Sequence, residues 1–82
     1  MTLPFYTTAA RQDLSNILHY IAKDRPATAL EWIDKIEAKC LLIAENPTFG
    51  DLQPHLGEGV RASVVGRYVI FHRDANHRVE IL

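Results

Sequence analysis

Residues 8–43 read TAARQDLSNILHYIAKDRPATALEWIDKIEAKCLLI, and apolar side chains recur in this stretch at helical spacing. Thr8 can cap a first helix, one face of which carries Ala10, Leu14, Ile17, Leu18 and Ile21. Pro26 ends this helix and suits the first turn of a second one. The apolar stripe of the second helix consists of Ala29, Ile33, Ile36, Cys40 and Ile43. The stretch therefore predicts a helical hairpin.

Segments of β-forming composition flank the hairpin. Residues 3–7, LPFYT, predict a short peripheral strand, because proline is tolerated only near the start of a strand or on a sheet edge. After the hairpin, β-branched and aromatic residues dominate three runs, which are residues 60–65, 68–73 and 77–82. Turn-forming residues separate these runs at positions 66–67 and 74–76. We therefore predict a three-stranded antiparallel meander.

The connection between the hairpin and the meander is residues 46–59, NPTFGDLQPHLGEG, which has no sustained period and predicts a long loop. It is too short to separate two domains, so residues 1–82 are predicted to form one domain. The fold class is α+β, with an N-terminal strand, a helical hairpin and then the meander packed on the helices. The other face of the sheet is left for solvent or a partner.

Composition excludes several classes of function. The chain has 82 residues, 48% of them hydrophobic, and a formal net charge of -1, which gives no general attraction to nucleic acid. Its single cysteine, Cys40, cannot form an internal disulfide and suits a reducing compartment. No apolar run approaches the roughly 20 residues that span a bilayer. These features predict a cytoplasmic protein that does not enter a membrane.

Two long stretches carry a resemblance to a known family through the order and spacing of their residues. Residues 7–36, TTAARQDLSNILHYIAKDRPATALEWIDKI, resemble the opening of ParE-type toxins, with matches at Ala10, Asp13, Leu14, Ile17, Tyr20 and Ile21. Residues 45–82, ENPTFGDLQPHLGEGVRASVVGRYVIFHRDANHRVEIL, are similar to the family's proline-glycine segment, to an arginine that enters a strand, and to its last two strands. The resemblance covers nearly the whole chain and points to the ParE/RelE superfamily of bacterial toxin-antitoxin pairs.

The resemblance implies a RelE/ParE-like fold and the toxin of a type II toxin-antitoxin system. A cognate ParD-like antitoxin holds such a toxin inactive in a hetero-oligomer, with an extended tail along the toxin's helices and sheet. ParE-like members poison DNA gyrase by stabilising its cleaved DNA complex, without a cofactor, whereas RelE-like members cleave messenger RNA in the ribosomal A site. Family members usually continue beyond the last strand, and this sequence stops at Leu82. A C-terminally shortened, non-toxic antitoxin-binding form is therefore a further alternative.

A ribonuclease site of the RelE kind needs acid, base and cationic groups that converge on one face. The candidates for it are Arg61, Arg67, Arg73, Arg78, His72, His77 and Tyr68. Alternation along a strand divides them, since it directs Tyr68 and His72 to one side and Arg73 to the other. The slightly acidic chain also disfavours ribosome docking. We therefore predict no catalytic residue, and gyrase as the target.

No metal site is predicted, because the histidines and Cys40 lack metal-ligand spacing.

The binding candidates fall into two groups. Those for the target are Arg61, Arg67, Tyr68 and Arg73, of which the resemblance assigns Arg61 and the turn at residues 65–68. Gly66 within that turn is predicted to allow a positive φ.

For the antitoxin, Trp32 lies at the border of the second helix's stripe, and Leu41 and Leu42 extend the stripe beyond what one face can bury. The antitoxin-binding candidates are Tyr20, Trp32, Leu41 and Leu42. Alternatively, this wide stripe packs on the sheet.

Overall fold

The computed structural model describes residues 3–75 and 77–82, and its fold class is α+β, as predicted. Its helices and strands, in chain order, are β1 (Phe5–Tyr6), α1 (Thr8–Ala22), α2 (Pro26–Glu45), β2 (Asp51–Leu52), β3 (Arg61–Val65), β4 (Tyr68–Ala75) and β5 (Arg78–Ile81). The predicted order of a strand, a helical hairpin and three later strands is confirmed. Neither helix in the described part of the chain is long and apolar enough to cross a membrane.

The sheet is larger than the predicted meander. Its strand order is β1-β5-β4-β3-β2, and at the centre β3 pairs with β4, and β4 with β5, in antiparallel fashion. On one side β1 pairs with β5 in parallel, and Tyr6 lies opposite Ile81. On the other side β2 pairs with β3, and the Gln53 amide donates to the Val60 carbonyl at 2.8 Å. The prediction of a long connecting loop was wrong at β2, because a strand of two residues is too short to show alternation.

The residue that caps α1 is Thr7 rather than the predicted Thr8. Thr7 keeps an extended backbone, with φ -66° and ψ 163°, and its Oγ1 accepts a hydrogen bond from the Ala10 amide at 3.2 Å. The same hydroxyl donates to the Ile81 carbonyl at 2.8 Å. Thr8 already belongs to the helix. One side chain therefore starts α1 and ties it to the central part of the sheet.

The core lies between the hairpin and one face of the sheet. Pro26 occupies the first turn of α2, as predicted. Four residues of that helix's predicted stripe are buried, namely Ala29, Ile36, Cys40 and Ile43, whereas Ile33 is half-buried and Ala44 is buried in addition. From the sheet, Ile70, Val79 and Ile81 join the core, and α1 contributes Ala10. On the opposite face Val64 and Val69 remain 65% and 51% exposed. The helices therefore cover only one side of the sheet, which we call the inner face.

Candidate binding site

The edge of β4 that faces β5 is only partly paired. Ile81 lies opposite His72, and the Leu82 amide donates to the Phe71 carbonyl at 2.8 Å. Alternate residues of a strand direct their amide and carbonyl groups toward the same neighbour, so those of Val69 point to the same side as those of Phe71. Within residues 3–75 and 77–82, no strand pairs with β4 at Val69 on that side. The described chain therefore has an open strand edge there.

An apolar groove of about 320 Å³ runs beside this open edge, between α1 and β4. Its floor and walls are mostly core side chains, including Tyr6, Ala10, Leu14, Ile17, Cys40 and Ile70. Asp13 and Asn16 supply the polar part of its rim, and Leu82 lies at its β5 end. The unpaired backbone groups of β4 therefore lie beside a largely apolar surface.

Burial keeps two ionisable groups of this groove uncharged. Withdrawal from water raises the pKa of the Tyr6 phenol well above its ordinary value of 10.0. It also raises the pKa of the Cys40 thiol above its ordinary value of 9.0. Both groups are therefore neutral at pH 7. Because the thiolate is the nucleophilic form, Cys40 contributes apolar surface to the groove rather than reactivity.

A second depression, of about 330 Å³, lies at the tip of the helical hairpin beside the β3-β4 turn. We call it the cationic cleft, because three cationic side chains and three large aromatic ones line it together with Asp24. These are Lys23, Arg25 and Arg67, and Tyr20, Trp32 and Tyr68. Tyr68 also lines the apolar groove. The groove and the cleft therefore adjoin at this side chain.

Packing around Trp32 shapes the cleft. Its ring meets Tyr68 edge to face, with centroids 5.4 Å apart and an interplanar angle of 78°. Lys35 Nζ lies 5.0 Å from the centroid of the same ring. Trp32 also covers the β3-β4 turn, where Gly66 has a φ of +59°. A Cβ at Gly66 would lie 2.7 Å from Trp32 Cζ3, so only glycine leaves room for the ring.

The structure brings together four of the eight predicted binding residues. Tyr20, Trp32, Arg67 and Tyr68 line the cationic cleft, although two were assigned to the antitoxin and two to the target. The other four lie elsewhere. Arg61 donates from Nη1 to the Gly50 carbonyl at 3.1 Å, and Arg73 pairs with Glu80 at 3.2 Å on the outer face. Leu41 and Leu42 lie in the second half of α2 and are 43% and 44% exposed.

Sequence reasoning missed Lys23, Arg25 and the open edge at Val69. The two cations appear in the sequence as part of Lys-Asp-Arg between the helices, and this run of charge was the only signal for them. The open edge has no sequence signal, because it depends on the register between β4 and β5. The turn between the helices, the turn between two strands and a strand edge form this site. Only the tertiary structure reveals it, because these parts are far apart in the sequence.

The residues considered for ribonuclease action do not converge. His72 is fully buried, its Nε2 lies 3.1 Å from the Pro47 carbonyl oxygen, and its Nδ1 has no partner among the described residues. Arg73 and Arg78 lie on the outer face beside Glu80. The predicted division between the two faces is therefore present in β4, where Tyr68 and His72 point inward. In residues 3–75 and 77–82, no cluster of three side chains suited to a metal ion occurs.

The strand, the helical hairpin and the antiparallel meander define a RelE/ParE-like fold, which here carries an apolar groove and a charged cleft. The model of one family, the ParE toxin of the type II toxin-antitoxin system parDE, matches residues 5–82. The chain belongs to the ParE toxin family. It is thus a type II toxin, and its family implies a cognate antitoxin as partner. Comparison with the curated proteins gave no match.

Proposed function

We propose that this toxin inhibits DNA gyrase and is neutralised by direct binding of a cognate ParD-like antitoxin in a hetero-oligomer. Membership of the ParE toxin family supports both parts of the proposal. The observation that carries it is the pair of adjoining depressions, the apolar groove and the cationic cleft, which share Tyr68. This surface suits recognition of another protein, and the proposed action needs no cofactor and no catalytic residue. The proposed location is the cytoplasm, where gyrase acts on DNA.

Antitoxin binding is supported by the open edge of β4. An extended peptide can add a strand to such an edge, with main-chain hydrogen bonds giving affinity and side-chain pockets giving specificity. Val69 offers the unpaired backbone groups, and the groove beside it receives apolar side chains. Tyr20 is 76% exposed, and Trp32 is partly buried in the cleft. Aromatic side chains in such positions often contribute a large share of binding energy.

Target binding is assigned to the side chains that are free to make intermolecular contacts. Arg67 is exposed at the β3-β4 turn, next to Tyr68, and both line the cleft. By contrast, the guanidinium groups of Arg61 and Arg73 already have partners within the chain. We therefore propose Arg67 as the principal contact with gyrase, with Arg61 and Arg73 in supporting positions.

Inducible expression in a bacterial host tests this assignment. Arg67→Ala should reduce growth inhibition about tenfold or more at equal protein level, because a charged interface contact that is lost costs about 2 kcal/mol. Lys39→Ala is the matched control, since it removes one cation from α2, where Lys39 Nζ lies 5.9 Å from the centroid of the Phe49 ring. If Arg67→Ala inhibits growth as strongly as the unmodified chain does, Arg67 does not belong to the target interface.

A further inference from the structure

The cationic cleft lies where the end of α1, the connection between the helices, the start of α2 and the β3-β4 turn meet. Its volume of about 330 Å³ falls within the range of small-ligand sites, which begins at about 300 Å³. Short connections hold these elements together, since three residues separate α1 from α2 and two separate β3 from β4. The cleft is therefore a defined depression with room for one small molecule or for one unit of a polymer.

The charge of the cleft favours an anion. Lys23, Arg25 and Arg67 line it with one carboxylate, that of Asp24, so positive charges exceed negative charges by two. In residues 3–75 and 77–82, the ion pairs within 4.0 Å all involve Glu80, which lies outside the cleft. A phosphate monoester carries about -1.5 to -2 charges at pH 7, which matches this excess. The three cations are therefore free to bind a phosphate group, and the planar donors of arginine suit its oxygens.

An aromatic side chain at the rim supplies a second kind of contact. Tyr20 is 76% exposed although it lines the cleft, so its ring is accessible to a ligand. The other two rings have partners already, because Trp32 packs edge to face with Tyr68 and Lys35 Nζ lies 5.0 Å from the indole centroid. Nucleic-acid bases stack on accessible aromatic rings whatever their identity, since every base has a π face. The cleft thus offers a stacking surface beside three cations.

We infer that the cationic cleft binds a nucleotide, with Lys23, Arg25 and Arg67 holding the phosphate and Tyr20 stacking on the base. This binding goes beyond the proposed function, since inhibition of gyrase requires no nucleotide on the toxin. A free nucleotide and an unpaired unit of a nucleic-acid strand both present this chemistry. Because the two contacts differ in kind, a ligand with only a phosphate or only a base should bind more weakly than one with both.

Three ligands titrated into the ¹⁵N-labelled full chain test this inference. They are adenosine monophosphate, adenosine and inorganic phosphate. The chain has one tryptophan, so the indole N–H signal of Trp32 is a single reporter in the cleft. Adenosine monophosphate should shift this signal and bind at least about fivefold more tightly than either other ligand, which is the lower end of the contribution of a stacked base. Added salt should weaken the binding, because it screens exposed charges.

Variants of the cleft separate the contributions of charge and stacking. Arg67→Gln should weaken binding of adenosine monophosphate about fivefold, which is the scale of an exposed ion pair. Asp24→Asn should strengthen it about threefold, because it removes the carboxylate that repels the phosphate. A gain of affinity cannot result from a misfolded variant. Tyr20→Ser should lower the affinity for adenosine monophosphate to that for inorganic phosphate.

A short single-stranded oligoadenylate distinguishes the two sources of the nucleotide. If it binds more tightly per nucleotide unit than adenosine monophosphate and displaces it, the ligand is a unit of a nucleic-acid strand. If adenosine monophosphate binds at least as tightly per unit, the ligand is a free nucleotide. Either result supports the inference and identifies the source.

Lys39→Gln is the matched control, because it removes a cation beside Phe49, outside the cleft, and it should leave binding unchanged. The inference is overturned if millimolar adenosine monophosphate does not shift the Trp32 signal, or if inorganic phosphate binds as tightly. Equal losses in Arg67→Gln and Lys39→Gln would also overturn it. So would a blocked triaspartate peptide that binds the cleft more tightly than the nucleotide does. Gyrase inhibition is measured separately, so failure of nucleotide binding leaves the proposed function intact.

Discussion

At the scale of single residues, Trp32 packs against Gly66 and lines the cationic cleft. Gly66 supplies a positive φ to the turn, and its missing side chain leaves the space that the indole ring fills. The ring then contacts Tyr68, which the groove and the cleft share. A glycine that sequence reasoning assigned to a turn therefore also positions two aromatic side chains of the proposed binding surface.

Gly66→Ala tests this double requirement. The left-handed backbone should cost about 1 kcal/mol of unfolding free energy, and displacement of Trp32 should cost a further ~1–2 kcal/mol. Gly59→Ala is the control, because Gly59 has a φ of +76° but no atom within 4 Å of its added Cβ. Urea unfolding followed by tryptophan fluorescence measures both effects. Equal losses in the two variants, with unchanged native fluorescence, would show that Trp32 does not depend on Gly66.

Tyr6 and Cys40 give the protein a defined response to alkaline pH. Burial raises the pKa of both groups in the folded state, so the stability from their neutral forms is fully present below pH 9. It is lost as pH rises, because in the unfolded chain the thiol ionises near pH 9.0 and the phenol near pH 10.0. Each group should therefore lower the unfolding free energy as pH rises through this range.

Urea unfolding at a series of alkaline pH values measures this loss. Tyr6→Phe and Cys40→Ala should each make the decline of stability with pH less steep. Tyr20→Phe is the matched control, since Tyr20 is 76% exposed and its ionisation should differ little between the folded and unfolded states. If the stability of Tyr6→Phe declines with pH as steeply as that of the unmodified chain, ionisation of Tyr6 does not cause this decline.

At the scale of elements, Thr7 connects the start of α1 to β5. Its hydroxyl accepts from the Ala10 amide and donates to the Ile81 carbonyl. Thr7→Ala should therefore lower the unfolding free energy by about 1–2 kcal/mol, through loss of the helix cap and of the bond to the sheet. Thr8→Ala should change it by less than ~0.5 kcal/mol, because Thr8 is an exposed residue inside the helix. Thermal unfolding measures both variants. If Thr7→Ala and Thr8→Ala lose similar amounts of unfolding free energy, Thr7 is not the cap of α1.

The helices and the central strands were predictable because their apolar patterns are long. The stripes of α1 and α2 extend over several turns, and the alternation in β4 places Ile70 and His72 inward, as expected. The choice between Thr7 and Thr8 was not predictable, since two adjacent threonines differ only in backbone conformation. Nor was β2, which consists of Asp51–Leu52 and exists through its pairing with β3. Short elements depend on tertiary contacts that no local pattern contains.

At the scale of the whole molecule, the net charge concealed a local concentration of cations. The formal charge of -1 correctly describes the chain as a whole, yet Lys23, Arg25 and Arg67 meet at the cationic cleft. Residues from α1, the hairpin turn, α2 and the β3-β4 turn form this cleft, so the fold itself brings the cations together. The apolar groove beside it lies on the same side of the sheet as the helices. The proposed binding surface therefore forms where several elements meet, and no single motif contains it.

The most direct test of the central claim is a gyrase assay with purified protein, ATP and plasmid DNA. If the chain is a gyrase-directed toxin, linear cleaved plasmid should accumulate and supercoiling should be lost, and an equimolar amount of the cognate antitoxin should prevent both. Supercoiling that continues unchanged in the presence of excess folded toxin, with no cleaved plasmid, would contradict the claim.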